Sequence, residues 1–151
     1  VLACEGLGLE ALPPSVGMPP LTAIGKEAQY IFHANMTRLS QADGVIANLE
    51  PFRGTEPDSG TVFEVGAAVA MGLPVVAYGV SATYAARVHR LMKVVRANGV
   101  LRDPRNYVVE DFDLPLNLML ACSVQIEDTA DEALTALATL FAGLGPRPVI
   151  H

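Results

Sequence analysis

A chain of 151 residues, half of them apolar, fits one domain and can fill a single core. Its net charge of −6 and scattered basic residues exclude a protein built to hold nucleic-acid phosphates. No apolar run reaches the ~18 residues that span a bilayer, and Val1-Leu2-Ala3-Cys4 shows neither charged leader nor cleavage pattern, so a cytoplasmic protein without membrane partners is expected.

Leu9–Leu12 has weak strand character and is stopped by Pro13-Pro14. A helix is predicted from about Thr22 to Ala42, where Ile24, Ala28, Ile31, Phe32 and Leu39 recur mostly at three- and four-residue spacing. Gly44–Leu49 reads as a buried strand. The proline-flanked stretch Glu50–Ser59 follows as a loop. A second helix runs from Gly60 to Met71, capped by Asp58 or Ser59 and closed by Gly72 ahead of Pro74. Pro74–Val80 is another apolar strand.

Ala82–Ala97 is predicted helical, with Arg87, Arg90, Lys93 and Arg96 forming one solvated face. Pro115–Val124 begins a further helix. Thr129–Leu144 is the last, opened by Asp131 and Glu132. Strands alternating with helices imply an α/β fold: a Rossmann-like (flavodoxin-like), doubly wound parallel sheet in a single domain over residues 1–151. The helical tail at Val1–Cys4 makes best sense after an earlier strand, so the first strand is expected to precede Val1.

Cys4 and Cys122, both in apolar company, read as small core residues in a reducing compartment. His33, His89 and His151 show no metal-ligand spacing, and neither a metal nor another cofactor is expected.

Ligands of open α/β sheets bind beyond the carboxyl ends of the strands. The loop Glu50–Ser59 leaves the best-defined strand and enters a helix bearing Glu64, read here in the first turn. There, unpaired amides and the helix dipole favour an ionised carboxylate by roughly 0.3–1 kcal/mol. Such a carboxylate is a competent nucleophile. Asp58 is a second acid near the same pocket, suited to holding substrate hydroxyls. A structural alternative stands beside each: Glu64 completes a capping box with Thr61, and Asp58 is an N-cap. Asp43 and Asn48 flank the strand; both have a structural reading, and Asn48, at the carboxyl end, is the better candidate to line the pocket. Phe52 either stacks on a base or anchors the loop, and Arg53 either closes over the site or pairs with Glu50 or Glu56.

The segment from Ala42 to Ala67 contains Asp43, Asn48, Pro51-Phe52-Arg53-Gly54, Pro57-Asp58-Ser-Gly60 and Phe63-Glu64-Val-Gly66. It resembles the signature of nucleoside 2-deoxyribosyltransferases. Glu110-Asp-Phe-Asp-Leu-Pro115-Leu-Asn117-Leu-Met119 resembles that family's Asn-Leu-Met block, and Ile31-Phe-His-Ala-Asn35 is more weakly similar. The resemblance implies transfer of 2-deoxyribose between nucleobases, with 2′-deoxyribonucleosides and free nucleobases as partners. It implies Glu64 as nucleophile and Asp58 as the group that holds the sugar, through O5′. It also implies substrate contacts from Asn35, Asn48, Phe52, Gly60, Asn117 and Met119.

Phosphate-accepting glycohydrolases similar to this pattern carry a small hydroxyl residue where Asp58 stands, so a nucleoside is expected rather than a nucleotide. Family members with an Asp at Asn35 use it to manage the proton on the base; an amide cannot act as an acid. Asn117 and Met119 match residues that complete a neighbouring subunit's site, which implies a homo-oligomer. Their alternatives are a helix cap and a core-filling residue. A hydrolase using the same residues, and a non-catalytic nucleotide-binding module on the same fold, are the competing functions.

Overall fold

The computed structural model describes residues 2–14 and 25–144. Its elements are α1 (Leu2–Gly6), α2 (Glu27–Gln41), β1 (Val45–Asn48), α3 (Ser59–Ala70), β2 (Val75–Tyr78) and α4 (Tyr84–Leu91). Then come β3 (Val95–Ala97), β4 (Val100–Arg102), α5 (Leu118–Ala121), β5 (Gln125–Ile126) and α6 (Ala130–Leu144). Three strands form a parallel sheet in the order β1-β2-β5. Val45 lies beside Val75 and Asn48 beside Tyr78, while Val76 pairs with Gln125. Parallel neighbours need a crossover, and α3 supplies the one between β1 and β2.

Strand side chains alternate between faces, and two packed layers result. Ala47, Val75 and Ala77 face a core with Leu39 of α2, Val65 and Ala68 of α3, and Leu49, Leu116 and Leu120. Val76, with Ile46 and Tyr78 beside it, faces Ala133, Leu137 and Phe141 of α6. Helices on both faces make the sheet doubly wound, as the alternation of elements implies. Gly44 shows how closely α6 approaches: a Cβ there would stand 2.9 Å from Leu137 Cδ1 and from Phe141 Cζ.

The helix ends follow the chain's own signals. Asp58 is the N-cap of α3. Gly72, at φ +75°, closes that helix in a Schellman turn: Leu73 N–H donates to Ala68 O, and Gly72 N–H to Val69 O. Thr129 and Glu132 exchange backbone and side-chain hydrogen bonds in a capping box ahead of α6.

Four expectations are corrected. Leu9–Leu12 forms no strand. The helix expected over Ala82–Ala97 ends at Leu91, and Val95–Arg102 is an antiparallel hairpin. Asn98 (φ 50°) and Gly99 (φ 79°) both take the left-handed backbone that a two-residue hairpin turn demands, and each strand begins with a β-branched valine, Val95 and Val100. The helix expected over Pro115–Val124 is the single turn α5, because β5 pairs with β2 directly after it. Cys122 is exposed rather than in the core, and Cys4 is half-buried.

The helix expected from about Thr22 to Ala42 is confirmed between Glu27 and Gln41. Residues 22–24 of that expectation lie outside the described residues. Among the described residues, no helix is long and apolar enough to cross a membrane.

Candidate active site

Glu64 belongs to the second turn of α3, because the helix starts at Ser59; no acidic residue occupies its first turn. The dipole argument for Glu64 therefore loses its force, since that effect fades within one turn. The capping-box alternative is removed as well. Thr61 is not the cap: its N–H donates to Asp58 Oδ2 at 3.0 Å. Glu64 is half-buried, and its Oε1 instead accepts from Asn35 Nδ2 at 3.2 Å, across the α2–α3 contact. Asn35 thus faces the carboxylate, not open solvent. No basic side chain pairs with Glu64 among the described residues.

Asp58 is half-buried and committed to the start of α3 through one oxygen. Gly60 sits against it, where a Cβ would lie 3.0 Å from Asp58 Oδ2, so a small residue keeps room around that carboxylate. Asn48 ends β1, and its Oδ1 accepts from Glu50 N–H at 2.9 Å, which fixes the first bend of the loop. The loop closes on itself through Phe52 N–H donating to Glu56 O at 2.8 Å. The Phe52 ring is exposed, and Arg53 lies over it at 4.7 Å rather than over an acid.

Asn117 caps α5 by accepting from Met119 N–H at 3.0 Å. Glu110 locks it: one carboxylate oxygen accepts from Asn117 Nδ2 at 2.7 Å, the other from Leu118 N–H at 2.8 Å. Met119 is 72% exposed, so it does not fill the core. The structure brings Glu64 together with Asn35, and Asp58 with Gly60. Among the described residues, no hydrogen bond or ion pair joins Asn117 or Met119 to either group.

Several residues escaped the sequence reading. Phe32 and Phe63, both about half exposed, meet at 6.0 Å between ring centroids beside the Asn35–Glu64 bond; Phe63's place next to Glu64 was the available signal. Gly79 follows β2 at φ +87°, and a Cβ on it would fall 2.5 Å from Asn48 Oδ1. The carboxyl ends of β1 and β2 therefore approach through a glycine. Gly79→Ala is expected to cost about 1–3 kcal/mol of stability and to displace Asn48. Urea denaturation reads the loss of stability.

Arg87 corrects an expectation. It is only 8% exposed, not part of a solvated face. Its Nε donates to Thr55 O at 3.3 Å, and its Nη1 to Ala82 O at 2.6 Å and to Pro115 O. Burial lowers its pKa, opposed by the charges of Glu56 and Tyr84. Tyr84 lies next to it, and burial followed by the neighbouring Glu56 carboxylate pushes its phenol up to about 12.

Two surface concavities of about 460 and 550 Å³ lie along α6. One is lined by Gln125, Asp131 and Thr135 among others, the other by Val69, Pro74 and Gly143 among others. Neither includes Glu64, Asp58 or Asn35. The second reaches the amino end of β2, where an open α/β sheet does not place its ligand. Chemistry, not size, therefore selects the Glu64 region.

Comparison with known proteins decides the family. The family model described as nucleoside 2-deoxyribosyltransferase matches residues 1–119. The chain belongs to the nucleoside 2-deoxyribosyltransferase family. Among solved structures it is similar to a 2-desoxiribosyltransferase from Leishmania mexicana, at 27% identity and a TM-score of 0.70. That match covers 91% of this chain and 81% of the other. No curated protein matches it. As a member of this family the chain is a transferase acting on nucleosides, and its α/β sheet is the fold of that relative.

Proposed function

We propose that this nucleoside 2-deoxyribosyltransferase works through a covalent intermediate on Glu64. A Glu64 carboxylate oxygen attacks the anomeric carbon of a 2′-deoxyribonucleoside, on the face opposite the base. The C1′–N bond breaks, and its electron pair leaves with the base nitrogen, which gains a proton. A glycosyl ester remains. A nitrogen of a second base then attacks the same carbon, loses its own proton and returns Glu64 to a free carboxylate. Two displacements retain the anomeric configuration, as in a retaining glycosidase. The passing oxocarbenium character is stabilised by the carboxylate itself.

The observation that carries this reading is the state of Glu64. It is half-buried in the second turn of α3, caps nothing, pairs with no cation among the described residues, and is held by one amide on one oxygen. A structural glutamate has a partner that explains it. Here the Asn35 bond sets the rotamer through Oε1 and leaves Oε2 to attack. Asn35 is a positioning group in this reading, so the proton for the leaving base comes from elsewhere.

Asp58 holds the sugar through its 5′-hydroxyl. It lies six residues before Glu64, a rise of roughly 9 Å along a helix, which a deoxyribose with one contact at each end can bridge. Asn48 and Phe52 line the loop side of the site. Exposed Met119 and the Glu110-locked Asn117 complete the site of a second subunit, so the working enzyme is a homo-oligomer.

Incubation with 2′-deoxyinosine, with and without free adenine, tests the transfer. Deoxyadenosine is expected to form when adenine is present. Release of hypoxanthine at the same rate regardless of acceptor, with no new nucleoside, would instead assign a hydrolase.

A further inference from the structure

Arg87 is remote in sequence from every residue of the proposed site, yet it touches the backbone that carries two of them. Thr55, whose carbonyl it binds, is three residues before Asp58; Pro115 is two before Asn117; Ala82 lies in the turn after β2. Tyr84, one turn earlier on α4, reinforces the second attachment. Its N–H donates to Leu114 O at 2.8 Å. The guanidinium carbon also stands 5.8 Å from the Tyr84 ring centroid.

A buried guanidinium whose hydrogen bonds go to backbone carbonyls, and which forms no ion pair within salt-bridge distance among the described residues, needs a reason. It costs desolvation, and its Nη2 is buried without a hydrogen-bond partner. A planar fork of donors is the one side chain that bridges three separate carbonyls at fixed angles. The loop it grips makes few regular contacts of its own: between β1 and α3 there is no secondary structure, and Arg53 within it takes a left-handed backbone, φ 56°.

We propose that Arg87 is a positioning residue for the transfer reaction. It registers the Asp58 loop against the Asn117 segment, and so sets selection for the 5′-hydroxyl of the nucleoside. The inference rests on the reading of Asp58 given above. Neither the guanidinium nor Tyr84 touches substrate. Their effect passes through the Thr55 and Pro115 carbonyls.

The test reads the ratio of kcat/KM for 2′-deoxyinosine over 2′,5′-dideoxyinosine in the full-length oligomer. Asp58→Asn, Arg87→Lys, Arg87→Ala and the double variants are compared. Asp58→Asn is expected to collapse the ratio at least tenfold. Arg87→Lys, which reaches one carbonyl at most, is expected to collapse it several-fold, and Arg87→Ala further. Neither Arg87 variant should lower it again once Asp58 is changed. Millimolar guanidinium added to Arg87→Ala should restore part of the ratio.

A purely structural Arg87 would lower the melting temperature and scale both substrates equally; an unchanged ratio in Arg87→Lys alongside a collapsed one in Asp58→Asn overturns the proposal. Should Arg87→Ala not fold, Arg87→Lys alone decides. A ratio unmoved by Asp58→Asn sinks the Asp58 reading itself, and Arg87's route with it.

Discussion

Glu64→Ala is expected to lower turnover by on the order of 10⁴-fold, with nucleoside binding largely kept. Losses of that size follow when a covalent nucleophile is removed and the surrounding binding groups remain. Glu64→Gln is the sharper variant. The amide oxygen still accepts from Asn35, so the side chain keeps its place, yet it carries no charge and attacks poorly. Neither change should disturb α3, because the helix is capped by Asp58 and closed at Gly72 without help from Glu64. Unchanged thermal stability together with lost turnover separates chemistry from folding. Wild-type turnover in Glu64→Gln would remove the mechanism.

Asp58 has two duties. It accepts from Thr61 N–H as the α3 cap, and it is the proposed acceptor of the 5′-hydroxyl. Asn is as good an N-cap as Asp, whereas Ala costs about 1 kcal/mol. Asp58→Asn therefore keeps the helix and removes only charge. A hydrogen bond to a charged group contributes about 1.5–3 kcal/mol, so kcat/KM for a 2′-deoxynucleoside should fall by roughly 10- to 100-fold.

The charge also acts against the wrong substrate. Two like charges about 4 Å apart repel by about 4 kcal/mol at the effective dielectric of a partly exposed site. Asp58→Asn should therefore raise activity on the 5′-monophosphate relative to the nucleoside by at least about tenfold. Competition assays with the two substrates in one mixture measure that shift. Equal losses on both would leave Asp58 as a cap and nothing more.

Which parts of this protein could be read from its residues follows from how local each signal is. β1 and β2 are short apolar runs bounded by polar residues or glycine and proline, and α3 and α6 carry their own caps. These elements appear within a residue or two of expectation. The segment after Leu91 does not. The spacing of Arg87, Arg90, Lys93 and Arg96 mimics a polar helix face, while Asn98-Gly99, the stronger local signal, was passed over in its favour. Arg87 is the plainest case of a long-range cause. Nothing near it announces burial, because its partners are carbonyls at positions 55, 82 and 115.

The candidate site divides the same way. Glu64 and Asp58 were legible from the motif that contains them. Their geometry was not: Asp58 is the cap, and Glu64 stands in the second turn, as it would even from a start at Gly60. The helix dipole therefore does little for Glu64, and the capping box with Thr61 does not explain it. The Asn35 contact required knowing how α2 packs on α3, which no single stretch of sequence contains.

The mechanism requires that a sugar become bonded to this one side chain. Brief exposure of the intact protein to a slow 2′-fluoro-2′-deoxynucleoside, followed by mass spectrometry and peptide mapping, answers that directly. The predicted result is a mass increase of one fluorodeoxyribosyl group, located on the peptide carrying Glu64, absent from Glu64→Gln and discharged by adding free base. Turnover of the same nucleoside with no adduct at any time point, or an adduct on another residue, would contradict it.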